Sequence, residues 1–259
     1  MWRSTDGVNW TLVSMNLPPM TWTPSVAATV SGGAMWVVIN GQSWSSADGI
    51  SWAPRSGAAA IDSGLPREYA SLNVYNNKLW YIGGTQVAPL NPGPPPTFTR
   101  VAQNDVWSSS DGIAWTLVST NQFAARHQHA AFVLNNRLWI FGGQRFNNTA
   151  GPPPNDAWPT TDGVIWTPAA TNTEMDRRSW LQGVVQQPGR VTLIGGIFRS
   201  YSNAAWTTTD GDNWSELLPH EFSPNILSRG ASFKGALWVI GGNRLDGLDT
   251  TTSGAVPRV

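Results

Sequence analysis

The sequence predicts an all-β chain of repeated four-stranded antiparallel units, and three observations carry that expectation. A tryptophan-flanked Asp-Gly turn is written five times at constant spacing, an apolar strand ending in glycine alternates with it, and Gly (26) and Pro (19) together make up 45 of 259 residues. The turn element reads Trp-x3-Asp-Gly-x2-Trp: Trp2-Asp6-Gly7-Trp10, Trp44-Asp48-Gly49-Trp52, Trp107-Asp111-Gly112-Trp115, Trp158-Asp162-Gly163-Trp166 and Trp206-Asp210-Gly211-Trp214. Asp-Gly supplies the positive backbone φ of a tight hairpin, and a Trp on each flanking strand gives a large cross-strand contact, so each copy reads as an outer strand pair.

The second element is Leu79-Trp80-Tyr81-Ile82-Gly83-Gly84, Leu138-Trp139-Ile140-Phe141-Gly142-Gly143, Val191-Thr192-Leu193-Ile194-Gly195-Gly196 and Leu237-Trp238-Val239-Ile240-Gly241-Gly242, with a degenerate first copy from Met35 to Gly41. Each follows a further short strand and a small-residue turn, as Ala131-Phe132-Val133-Leu134 precedes Asn135-Asn136. One unit is therefore four antiparallel strands.

The leading Trp of successive copies is displaced by 42, 63, 51 and 48 residues, near the period of about 50 residues of kelch repeats. Arg126-x-x-His129, Leu138 to Gly143, Asn155-Asp156-Ala157-Trp158 and Trp166 resemble the kelch pattern strand by strand, and the resemblance covers nearly the whole chain. It implies a β-propeller of five four-stranded blades. The Ser/Thr-x-Asp-Gly-x-x-Trp hairpin is also similar to the Asp-box turn of sialidase-type propellers, one residue shorter. A single kelch-like domain is expected over 1–259, with blades at approximately 20–53, 64–118, 123–169, 176–218, and 224–259 with 1–13. The last is a composite: Met1-Trp2 opens on a third strand and Arg229 to Gly242 supplies only a first and second, so pairing the N- and C-terminal hairpins covers both edges. The rival account is a piece of a larger propeller.

A formal charge of +0 and 12% charged residues leave no field to attract nucleic acid or an anionic membrane. No run of roughly 18–20 apolar residues is present to span a bilayer, so no membrane insertion is expected. The absence of cysteine removes disulfides, thiolate metal sites and cysteine nucleophiles. Low Lys with abundant Thr, Ser, Asn, Gly and Trp suits an extracellular or cell-surface protein of bacterial origin, although Met1-Trp2-Arg3 does not open a signal peptide.

Because strands alternate in direction, the turns between strands one and two and the Asp-Gly hairpins fall on one face. They are short and uniform. The other face collects the length variation, Thr85 to Gln103, Gln144 to Pro154 and Ile197 to Ser202, including the proline runs Pro92 to Pro96 and Pro152 to Pro154, which read as stiff extended ridges. Aligning back from the glycine pairs places Arg67, Arg126 and Arg177 or Arg178 at one position on that face, with Thr23 and Asn225 in the other two units. Convergent arginines suit a carboxylate or sulfate, and the kelch resemblance implies that such arginines also bond neighbouring blades. Of 16 tryptophans, ten belong to the hairpins and four to the glycine-paired strands, which leaves Trp22 and Trp180 as candidate platforms beside Arg, His129 and Asn225.

Galactose oxidase has a kelch-like propeller, but its copper chemistry needs a Cys–Tyr crosslink and this chain has no Cys. His127 and His129 can share a strand face without an evident third ligand, so neither a metal nor a cofactor is expected. A glycosidase needs two facing carboxylates. Glu68, Glu174, Asp176 and Glu221 are the acids left over by the repeats, and Tyr69 beside Arg67 and Glu68 is the one sialidase-like neighbourhood. The expectation is a non-catalytic, monomeric binding propeller that presents its variable loops to a protein or glycan, through Arg67, Tyr69, Arg126, His129, Arg177, Arg178, Trp180, Trp22 and Asn225. The alternatives are a carbohydrate-active enzyme, glycosidase- or sialidase-like, and a structural module of a longer exported protein.

Overall fold

The computed structural model describes residues 1–13, 18, 26–55, 61, 65–91, 97–145, 154–169, 177–186, 189–197, 202–217, 224–226, 229–244 and 254–256. All regular structure among them is β, and every strand pair is antiparallel. They gather into two compact units, one built on Met1–His127 with Arg145–Ala150, the other on Gln128–Gln144 and Gly151–Val259.

In the first unit, β1 (Trp2–Arg3) and β2 (Thr11–Leu12) form a two-stranded sheet. β3 (Ala27–Ser31), β4 (Ala34–Ile39), β5 (Gln42–Ser46) and β6 (Ala53–Pro54) form a four-stranded sheet in sequence order. β7 (Arg67–Glu68) precedes β8 (Ser71–Tyr75) and β9 (Lys78–Ile82); β10 (Thr85–Asn91) and β11 (Thr97–Ala102) come next, then β12 (Val106–Ser109) and β13 (Thr116–Ser119). β8, β9, β12 and β13 make the second four-stranded sheet, while β10 and β11 leave it to build a separate sheet in the order β11-β10-β7. The variable segment Thr85 to Gln103 thus forms an antiparallel strand pair on the two flanks of Pro92 to Pro96, and the proline run expected to be a stiff ridge lies outside the described residues. The physical reason is the β-branched and aromatic run Thr97-Phe98-Thr99-Arg100-Val101, which favours a paired strand over an isolated extended one.

In the second unit, β14 (Ala130–Leu134), β15 (Arg137–Phe141) and β16 (Ala157–Thr160) form one sheet, and β17 (Gln182–Gln186), β18 (Arg190–Ile194), β19 (Ala205–Thr208) and β20 (Ser215–Leu217) form the next. A fourth strand beside β16 is only sketched. Thr167 and Ala169 donate to the Pro159 and Ala157 carbonyls at 3.3 and 2.9 Å, and Pro168 between them has no N–H to give. β21 (Asn225–Ile226), β22 (Arg229–Phe233), β23 (Ala236–Ile240), β24 (Asn243–Arg244) and β25 (Gly254–Val256) complete the chain, with sheets β21-β24 and β22-β23-β25. β25 takes the place beside β23 that the sequence reading gave to the N-terminal hairpin, and that hairpin stands as a sheet of its own. An open strand edge takes whichever strand the chain can deliver, and here the residues after β24 deliver it.

The two kinds of turn have different chemistry. Between β8 and β9, Asn76 and Asn77 both hold positive φ (47° and 56°), and Asn135 and Asn136 repeat this between β14 and β15 (50° and 55°), as a two-residue hairpin requires. The Asp-Gly hairpins are closed by side chains. The Asp48 carboxylate accepts the Ile50 and Ser51 N–H groups (2.8 and 2.9 Å) and the Ser46 hydroxyl (3.0 Å), while Ser46 Oγ accepts the Gly49 N–H (2.8 Å). The same set recurs around Asp6, Asp111, Asp162 and Asp210. These N–H donors, those of Ser51 and Ile50 first, hold the Asp48 carboxyl below the usual carboxylate range.

Within each unit, packing links one sheet to another through these hairpins. A β-carbon on Gly112 would lie 2.0 Å from the Trp36 ring, and one on Gly211 would lie 2.5 Å from Trp139, so the hairpin glycine of one sheet sits flat on the inner-strand tryptophan of the sheet before it. Ser43 Oγ donates to the Gly112 carbonyl (2.6 Å) and accepts from Trp115 Nε1 (3.2 Å). The core of the first unit centres on Ala27, Val38, Leu72, Leu79 and Tyr81, that of the second on Phe132, Trp139, Phe141, Leu193 and Trp206. The tryptophans of the repeats are buried or half-buried as expected, except in the N-terminal hairpin, where Trp2 is 60% and Trp10 38% exposed. That hairpin has no inner strand beside it among the described residues.

Gly112→Ala and Gly211→Ala are each expected to cost about 2–4 kcal/mol, from overpacking on the indole and a left-handed backbone together. Gly32→Ala, at the same kind of φ but with open space around it, costs only about 1 kcal/mol, as urea unfolding of the three variants will measure.

Candidate functional site

The arginine position lies in a turn that enters the inner strand of its sheet, and it repeats with one backbone shape. In Arg67-Glu68-Tyr69, Arg126-His127-Gln128 and Arg178-Ser179-Trp180, the third residue carries a positive φ of 57°, 56° and 64°. Left-handed backbone at Tyr, Gln and Trp is costly and persists only where the surroundings impose it. At Tyr69 and Trp180 the glycine pairs impose it. A β-carbon on Gly84 would lie 2.7 Å from the Glu68 carbonyl oxygen, and one on Gly196 would lie 2.9 Å from that of Ser179, so these two pairs pack directly against the turn that enters their own sheet. The second glycine then donates its N–H to the arginine carbonyl of the following turn: Gly84 to Arg126 (2.9 Å) and Gly143 to Arg178 (3.1 Å). Trp180 N–H also reaches the Gln128 carbonyl at 3.0 Å.

This register selects Arg178 over Arg177. Arg178 is buried, with Nη1 bonded to Ser202 Oγ and to the carbonyl of Gly195 at 3.5 Å, and Arg177 is exposed. Arg67 has the corresponding role in the first unit: Nη1 donates to the Gly83 carbonyl (3.0 Å), and the guanidinium meets Asp105 in a bidentate pair at 2.6 and 2.7 Å. Its side chain is fully covered. Asp105 also accepts Trp107 Nε1 at 2.7 Å, as Asp156 accepts Trp158 Nε1 at 2.9 Å. The fourth repeat carries Ala204 where the second and third carry Asp105 and Asp156, and there Ser202 supplies the acceptor. Arg126 is fully buried, with Nε on the Ala124 carbonyl (3.1 Å) and its guanidinium 5.6 Å from the Phe123 ring centre. In these contacts the three buried arginines serve the architecture.

Tyr69 is half-buried beside His127, with ring centres 6.1 Å apart. Burial, then the Glu68 charge, raises the Tyr69 phenol above its ordinary value. Glu68 is buried and is held by Arg100 of β11 (Nε to Oε2 3.2 Å, Nη2 to Oε1 3.4 Å). Sequence reasoning missed Arg100, because it belongs to no repeat; the β-branched and aromatic residues around it, Thr97, Phe98, Thr99 and Val101, are the signal that places it on a strand. His129 is buried and Trp180 half-buried. Asn225 lies in β21, paired with Arg244 of β24. Trp22 and Thr23 lie outside the described residues, as do Glu174, Asp176, His220 and Glu221. The first unit thus brings Arg67, Tyr69 and Arg126 together around Gly83-Gly84, and the second brings Arg177, Arg178 and Trp180 beside Gly142-Gly143. Among the described residues no three His, Asp or Glu side chains are grouped to hold a metal, and no helix is long and apolar enough to cross a membrane. No protein-family model matches the chain, and no curated protein matches it.

Removing one partner of the covered Arg67–Asp105 pair leaves the other charged and dry, so Arg67→Met and Asp105→Asn are each expected to cost about 3–5 kcal/mol in equilibrium unfolding. His127 is neutral in the fold, its value pushed down to about 4 from 6.5 by burial alone. Between those values the unfolded chain binds a proton that the folded chain refuses, so stability falls as pH drops from 6.5 to about 4 and this contribution levels off below. The loss amounts to about 3 kcal/mol, and a His127→Gln variant will show a flatter pH profile of urea midpoints across that window.

Proposed function

We propose that the chain is a kelch-like β-propeller acting as a non-catalytic binding module, extracellular or on the cell surface, that presents its variable loops to a protein or glycan partner. One observation carries this reading: the strongly patterned polar residues are consumed by architecture. The hairpin aspartates close their own turns, and Arg67, Asp105 and Arg178 tie strands to glycine pairs. Outside the hairpin and glycine-strand pattern stand the exposed Arg177 and the half-buried Trp180, a cation and an aromatic ring three positions apart in the sequence. An aromatic ring and a guanidinium on one short segment suit a sugar ring or a planar side chain.

The enzyme reading places an acid at Glu68 or Asp176; the Glu68 carboxylate is engaged by Arg100, and Asp176 lies outside the described residues. Binding to an array of neutral and acidic oligosaccharides, lowered at least about tenfold by Trp180→Ala or Arg177→Ala, is the expected result. Turnover of a glycoside panel abolished by Glu68→Gln would replace this reading with a carbohydrate-active enzyme.

A further inference from the structure

We propose that β11 is a dimerisation edge, at which two copies of this chain pair β11 against β11 antiparallel about a two-fold axis through Thr99. β11 is the outer strand of the sheet β11-β10-β7 and has no further strand beside it among the described residues. Gln103 N–H bonds inward to the Gly84 carbonyl and Val87 N–H bonds away from β11 to Pro66. In the register Val87 with Arg100 and Thr85 with Ala102, this alternation directs the N–H and C=O of Phe98, Arg100 and Ala102 outward from the sheet. Natural edges are blunted by Lys, Pro or bulges. Thr97–Ala102 contains none of these; the register shift lies on β10, between Pro89 and Asn91. The one charged residue, Arg100, has its guanidinium on Glu68 of its own sheet, and Phe98 and Val101 stay 43% and 45% exposed.

The occupant follows from side-chain pairing. A two-fold axis perpendicular to the sheet keeps each side chain on its own face, so a self-paired register must centre on a residue. Centring on Arg100 sets two guanidinium groups directly opposite, which is unfavourable. Centring on Phe98 sets Pro96, which has no N–H, against Arg100, whereas centring on Thr99 moves it out to the end of the ladder against Ala102, and centring on Val101 pairs Arg100 with Ala102 and leaves Phe98 out. Centring on Thr99 pairs Thr97 to Val101 with the same run of the second copy. Phe98 then faces Arg100 of the second copy twice, a ring under a cation, and Thr99 faces Thr99, both favourable cross-strand pairs. The outward groups of Phe98 and Arg100 make four hydrogen bonds, and the Glu68 carboxylate continues to hold Arg100.

Sedimentation of the full chain over a concentration series, combined with cysteine crosslinking, tests this independently of any ligand, so failure here leaves the binding reading standing. The native chain has no cysteine. Thr99→Cys is expected to give a disulfide-linked dimer on mild oxidation, because opposed residues of a non-hydrogen-bonded pair have Cα atoms about 4.5 Å apart. Val101→Cys is not, since its two copies lie about 14 Å apart along the strands. Phe98→Pro removes an outward N–H without touching the β10 ladder, and is expected to raise the dimer dissociation constant at least about tenfold with circular dichroism unchanged. Should that variant fail to fold, Thr99→Lys, which opposes two ammonium groups, is read in its place. A chain that stays monomeric at every concentration, or equal crosslinking at both cysteines, overturns the proposal.

Discussion

The contact on which the rest depends is a backbone one: the amide of the second glycine in the pairs of the second and third repeats, donated to the carbonyl of the arginine turn that follows. Gly84 to Arg126 and Gly143 to Arg178 are bonds from one sheet to the next turn, and they need a chain with no side chain in the way. Close approach of Gly84 and Gly196 accompanies the left-handed backbone at Tyr69 and Trp180, and Gln128 repeats that backbone shape. The arginine then satisfies the carbonyl of the first glycine, Arg67 on Gly83 and Arg178 on Gly195, so the polar groups exposed by the approach are answered locally. Glycine, arginine and acceptor form one device.

That device explains which parts of the chain were legible in the sequence. The hairpins, the glycine strands and their antiparallel order follow from spacing and alternation, because each is fixed within some fifteen residues by local backbone demands. The arginine alignment was equally visible, but whether a guanidinium faces a ligand or a carbonyl depends on contacts across 16 to 38 residues of chain, as Arg67 shows with Gly83 and Asp105. Arg100 and the hairpin it rides on were opaque for a different reason: an insertion has no other copy to compare with. The partner of β23 was misread because strand pairing at a terminus is decided by which segment reaches the open edge, and hydrophobic pattern alone does not encode reach.

The substitution of Ala204 for the aspartate of the second and third repeats shows how loosely the polar part of the device is specified. The arginine remains, and a serine two residues earlier in the chain supplies the acceptor. What is required is a satisfied guanidinium rather than a particular anion, in keeping with the cost of leaving a buried polar group alone. The glycine pair tolerates less: Gly84, Gly142 and Gly196 all lie within 3 Å of backbone oxygen at the point where a β-carbon would sit.

The Asp-Gly hairpins have a bearing on how the chain reaches its native state. Each is closed by a Ser or Thr hydroxyl and an Asp carboxylate within three residues of the amides they bind, so it can form before any inner strand is in place. Loop-closure entropy is small over so short a span. Five such turns distributed along the chain give folding five local starting points, and the slow step then becomes the docking of glycine strands onto arginine turns, where sequence separations are longest.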